Sequence, residues 1–127
     1  EEGGVPLALD SNDRLPSPFA ISNHRAINPL LGDREQFEKL VERVHQAGGK
    51  VIVDFVPNHT GLVCPWISEH PNYYHRDPNS PNHLLCEFSG DVVKLDYINP
   101  ELAEVRWKVL ENIVDLGANV VRVDMAH

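Results

Sequence analysis

Two short stretches of this sequence put charge and hydrogen-bonding groups where they are expensive to keep. The first, Asp54-Phe-Val-Pro-Asn58-His59-Thr60, closes a β-branched, mostly apolar run that begins at Val51. A carboxylate inside such a run is costly unless it is paired or hydrogen-bonded. Asn58 and His59 follow at the end of the run, an amide and an imidazole able to contact a ligand. The second stretch, Val120-Val-Arg122-Val-Asp124, sets a guanidinium and a carboxylate two residues apart, so on an extended strand both leave the same face. An Arg beside an Asp favours the charged carboxylate and orients it through a fork of donors. An ionised, oriented carboxylate at the mouth of a cleft is what nucleophilic catalysis by aspartate requires. The same residues also suit plainer roles. Arg122 and Asp124 would serve as a structural ion pair, Asp54 as an Asp bonded to a nearby loop or Arg, and His59 as a satisfied core histidine.

The elements that must position these groups can be read from periodicity. Phe37, Leu40, Val41, Val44 and Ala47 form a stripe at helical spacing, opened by Asp33 with Gln36 as capping-box partner and closed by Gly48-Gly49. A second helix starts at Asn99 with Pro100 in its first turn, buries Leu102, Val105, Val109, Leu110, Ile113 and Leu116, and ends at Gly117. No polar residue is expected to intrude on its buried face. A strand follows each helix, over residues 51–56 and 119–124, nearly continuously apolar as parallel strands covered on both faces are. Ile52 and Asp54 are expected on one face of the first, with Val53 and Phe55 on the other. Val121 and Val123 are expected to face the covering helices. An earlier strand at residues 18–21 would complete a β-α-β-α-β order. The fold class is therefore α/β with a parallel sheet.

Between the first strand and its helix lies a Pro-, Asn- and His-rich stretch, residues 57–98, at the carboxyl end of a strand, where such folds place ligands. Trp66, Tyr73 and Tyr74 there could form a platform for flat faces of a ligand, or pack the segment itself. His70, His75 and His83 lack the spacing or Cys partners of a zinc site. Trp107 is expected to be partly buried, and Glu35, Glu38 and Glu42 to form a solvated face. Cys64 and Cys86 either close one bridge or remain free thiols.

Nineteen acids against 11 Lys and Arg give the 127 residues a net charge of −8. That balance argues against a nucleic-acid surface or an anionic membrane as partner, and no apolar run nears the ~20 residues of a membrane span. The sequence stops at His127, soon after Asp124 and with no helix to cover the strand. It is therefore read as part of a larger domain. A (β/α)₈ barrel takes ~250 residues, and this would be roughly its strands 2 to 4.

VIVDFVPNHTG resembles the first short sequence region of the α-amylase superfamily, glycoside hydrolase family 13, and GANVVRVD resembles the region carrying that family's nucleophile. KLDYINPEL resembles the approach to the latter strand, SPFAISNHRAINPLLG the second-strand segment, and CPWISEHPNYYHR a common start of the insertion after the third strand. The segments follow in the family's order over residues 17–127. The resemblance implies a partial (β/α)₈ barrel over residues 1–127, with a short domain-B-like insertion at residues 60–97. It implies retaining hydrolysis, or transglycosylation, of α-glucosidic bonds in starch-like or maltooligosaccharide substrates. By motif position Asp124 is the nucleophile, Arg122 the arginine that holds it, His59 a contact to the sugar, and Asp54 a structural aspartate. Phe19 stands where Tyr is usual, keeping a ring for the sugar but not the hydroxyl. Asn58 aligns with an asparagine that binds structural calcium in many amylases; no other cofactor is implied. Asn23 and His24 replace a common Asp and Tyr, and His127 stands where Lys is frequent in amylases proper. The family's acid/base Glu and second Asp lie on later strands, beyond residue 127, so the chain alone is expected to be inactive. A relative that keeps the barrel for binding or assembly is the alternative from another class.

Overall fold

The computed structural model describes residues 17–126. In chain order its elements are α1 (Arg34–Gln46), β1 (Ile52–Phe55), β2 (His59–Gly61), α2 (Trp66–Glu69), β3 (Arg76–Asp77), β4 (Ser80–Leu84), β5 (Cys86–Glu87), β6 (Val92–Lys94), α3 (Pro100–Asp115) and β7 (Val120–Val123). His127 lies outside the described residues, as do residues 1–16.

α1 begins with the capping box expected from sequence. The Asp33 carboxylate accepts from the Gln36 N–H at 2.8 Å, and the Gln36 side chain accepts from the Asp33 N–H at 3.0 Å. Glu35, Glu38 and Glu42 are exposed. α3 opens with Asn99, whose side chain accepts from the Glu101 N–H at 3.0 Å, and Pro100 occupies the first turn. Its buried residues are Leu102, Arg106, Val109 and Ile113. Arg106 corrects the expectation of an unbroken apolar face. Trp107 is 63% exposed, with its indole N–H donating to Glu111, so it packs less than expected.

β1 and β7 pair in parallel, with Asp54 beside Arg122. Val53, Phe55 and Val121 pack on Val109 and Ile113 of α3, so this face is covered as expected. The opposite face is open: Ile52 is 62% exposed and Val120 44%. Val123, expected under the helices, is 47% exposed. Residues 18–21 form turns instead of a strand. Ala20 N donates to Ser17 O and Ile21 N to Phe19 O, both at 3.0 Å, so local bonds take up donors that a ladder would need.

Residues 57–98 carry their own small fold. β2, β6 and β5 make an antiparallel three-stranded sheet, and β3 pairs with β4. Tyr73, Tyr74, Val93 and Leu95 form a core with Leu102 of α3, which ties this segment to the helix behind β1. Tyr73 and Tyr74 are therefore packing residues, 1% and 3% exposed. Cys64 is buried, Cys86 is exposed, and both are free thiols.

Candidate active site

The parallel register puts three charged side chains on one face of the β1–β7 pair. Arg122 Nη1 donates to Asp54 Oδ2 at 2.8 Å, and Arg122 Nη2 donates to Asp124 Oδ1 at 3.0 Å. One planar guanidinium thus fixes two carboxylates, a task for which its divergent N–H groups suit it better than an ammonium. Asp124 N donates to Phe55 O at 2.8 Å, so the backbone continues the strand pairing up to the carboxylate it presents. The guanidinium also lies 5.7 Å from the centre of the Phe19 ring, within cation–π range.

His59 opens β2 and is 3% exposed. Burial pushes its pKa below the usual 6.5, while a hydrogen bond to the Phe19 backbone and the charges of Glu87, Asp124 and Asp91 oppose that shift. The Asn58 amide nitrogen lies 3.2 Å from His59 Nδ1 and 2.8 Å from Glu87 Oε2. An amide NH₂ facing a carboxylate must donate, so the ring accepts at Nδ1 and the neutral imidazole carries its proton on Nε2. The ring meets Phe88 edge-on, centroids 5.6 Å apart. Phe88 and Met125 are the described non-glycine residues with positive φ, 49° and 51°. One lies against His59 and the other directly follows Asp124. Strained backbone of this kind costs of order 1–3 kcal/mol and concentrates at functional sites.

The structure thus brings Phe19, Asp54, His59, Arg122 and Asp124 into one neighbourhood. Asn58 lies behind the imidazole and faces the insertion. There Glu87 accepts from Lys94 Nζ at 2.9 Å as well as from Asn58. Calcium takes six to eight oxygen ligands. Here the nearest carboxylate is already neutralised by a fixed ammonium, and the Asn58 amide presents its nitrogen to it. Among the described residues no group of three or more His, Cys, Asp or Glu side chains could hold a metal ion. The Glu87 carboxylate beside Asn58 is therefore not free to ligate calcium.

Phe88, Glu87, His24 and Arg106 complete the surroundings and were not singled out for these places by sequence. His24 stacks on Trp66 with centroids 5.6 Å apart, and burial, then the positive charge of Arg106, lowers its pKa to about 3. Arg106 alone had a signal, since residues 102, 106, 109 and 113 share one helical stripe; its charge masked the position.

Residues 12–127 match the α-amylase family, described as alpha amylase, catalytic domain. A probable oligo-1,6-glucosidase 2 of Bacillus subtilis (strain 168) is 28% identical over 148 residues, 88% of this chain and 26% of that protein. An alpha-1,4-glucan:maltose-1-phosphate maltosyltransferase of Pseudomonas aeruginosa (strain PAO1) is 30% identical over 126 residues, 87% of this chain and 18% of that protein. The chain therefore spans 18% to 26% of the length of these relatives. Among solved structures, a noncanonic maltogenic α-amylase, AmyB from Thermotoga neapolitana, superposes with a TM-score of 0.81 at 30% identity, covering 98% of this chain and 29% of that one.

Proposed function

The chain belongs to the α-amylase family, matching its catalytic domain, and on that premise we propose that it carries the nucleophile half of a retaining α-glucosidic active site. Asp124 attacks the anomeric carbon of a bound sugar, the bond to the leaving oxygen breaks, and a glycosyl-aspartate ester results. Water or a second sugar then resolves the ester, giving hydrolysis or transfer on maltooligosaccharide or starch-like substrates. A glucosidase and a maltosyltransferase among the relatives support both outcomes. The observation that carries this reading is the Arg122 fork, which holds Asp124 at 3.0 Å and Asp54 at 2.8 Å on one strand face.

Each neighbour then has a role. Arg122 orients the attacking carboxylate, and Asp54 anchors the other end of the guanidinium. His59 contacts the bound sugar, and the Phe19 ring covers an apolar sugar face. Retention also needs an acid/base carboxyl ~5–5.5 Å from the nucleophile. Asp54 is already engaged by Arg122 and does not serve. The 127-residue chain by itself is therefore proposed to be inactive, and the complete barrel active. In the full-length protein, Asp124→Ala is expected to lower turnover of a maltooligosaccharide by ~10³-fold or more while leaving the fold intact. Turnover retained in that variant would mean the nucleophile is misassigned.

A further inference from the structure

Three successive carbonyls lead from β1 to His59, and each is tied down. Val56 O accepts from Arg106 Nη2. Pro57 O accepts from Tyr97 Oη at 2.8 Å, and Asn58 O accepts from Leu95 N at 2.9 Å. Two of the three donors are side chains, the buried Arg106 guanidinium and the Tyr97 hydroxyl. The guanidinium donates to Val56 and the hydroxyl to Pro57, so the two side chains hold consecutive peptide units.

Arg106 is an expensive way to fill its place. It is 3% exposed, its guanidinium lies 4.5 Å from the centre of the Phe55 ring and 6.0 Å from that of Trp66, and its Nε and Nη1 have no hydrogen-bond partner. Buried N–H groups left unpaired oppose stability, and an apolar side chain of similar length would fill this volume without that penalty. What an apolar residue cannot do is hold the Val56 carbonyl, next to the Pro57 carbonyl that Tyr97 holds. We propose that Arg106 and Tyr97 are positioning residues: they fix the backbone of residues 56–58 and through it the place of the His59 imidazole beside Phe19 and Asp124. Neither touches substrate. The catalytic consequence rests on the reading of His59 given above, whereas the positioning itself does not.

The test uses full-length protein with ¹⁵N-labelled histidine, in the wild type and in Tyr97→Phe, Arg106→Lys and Arg106→Met. Tyr97→Phe removes a single hydroxyl and keeps the proposal testable should an Arg106 variant fail to fold. The His59 ring resonances are expected to move in Tyr97→Phe while those of the exposed His45 and His83 stay in place. Unmoved His59 resonances in folded Tyr97→Phe and Arg106→Lys would overturn the proposal. In the activity arm, Tyr97→Phe is expected to lower kcat/KM by ~10-fold, as a small misplacement does, and to have no further effect in a His59→Ala background. Additive losses in the double variant would also overturn it. If His59→Ala alone leaves turnover unchanged, the reading of His59 as a sugar contact has failed, and the resonance shifts still decide the positioning.

Discussion

Arg122 holds two aspartates with one side chain, and that is a matter of shape as much as charge. Asp54 and Asp124 sit on adjacent strands, and two separate nitrogens of one guanidinium reach them. Arg122→Lys keeps the charge but offers a single nitrogen, so it is expected to lower kcat ~10²-fold or more through lost orientation. The pair is half-exposed, so unfolding free energy should change by only about 0–1 kcal/mol; steady-state kinetics and urea unfolding of the same variant separate the two effects. His24 gives a prediction in pH. Its pKa falls from 6.5 unfolded to about 3 folded. Above pH 6.5 both states are neutral there. As pH drops below 6.5 the unfolded chain takes up a proton that the folded chain refuses, so stability falls until about pH 3. His24→Phe keeps a ring against Trp66 and is expected to remove about 2 kcal/mol of the loss between pH 7 and pH 5, read from urea midpoints at both pH values. The shared face of Arg122 and Asp124 was legible from their spacing, and a pairing with Arg was one of the open readings of Asp54. The burial of His24 was not, because it lies on no periodic element and its partner Trp66 is distant in sequence. Phe88 reaches His59 only through the β2–β6–β5 pairing, which local pattern does not reveal.

At the scale of elements, caps and stripes carried the information. Asp33 with Gln36 and Asn99 with Pro100 marked both long helices, since such ends are made by residues within a turn of each other. The expectation of a strand at residues 18–21 failed where local bonds competed: Pro18 has no N–H to donate, and Ser17 and Phe19 accept from Ala20 and Ile21. Gly117, after α3, is required twice over. Its φ is +91°, and a Cβ there would lie 2.8 Å from Val41 Cγ1 of α1. Gly117→Ala is expected to lose about 1–3 kcal/mol in denaturant titration. In the insertion, Lys94 and Glu87 supply internally the opposite charges that a metal and its ligand would. A chelator is therefore expected to leave the melting temperature unchanged, while Lys94→Ala lowers it; a calcium-dependent rise in the wild type would contradict that charge pairing.

At the scale of the whole molecule, a parallel strand pair presents charge on one face and buries Val53, Phe55 and Val121 against α3 on the other. The insertion shares Leu102 of that same helix in its core, so β1, α3 and the segment carrying His59 are braced as one unit. This is how groups far apart in sequence, at positions 19, 59 and 122–124, come to one place. The proposed catalysis requires Asp124 to form a covalent bond to sugar. The most direct measurement is to incubate the full-length protein with a fluorinated α-glucosyl fluoride, which slows release of the ester, and to follow intact mass and peptide mass. One added glycosyl unit, mapped to the peptide containing Asp124 and absent in Asp124→Ala, is the predicted result. An adduct on another carboxylate, or turnover of a maltooligosaccharide by Asp124→Ala, would contradict it.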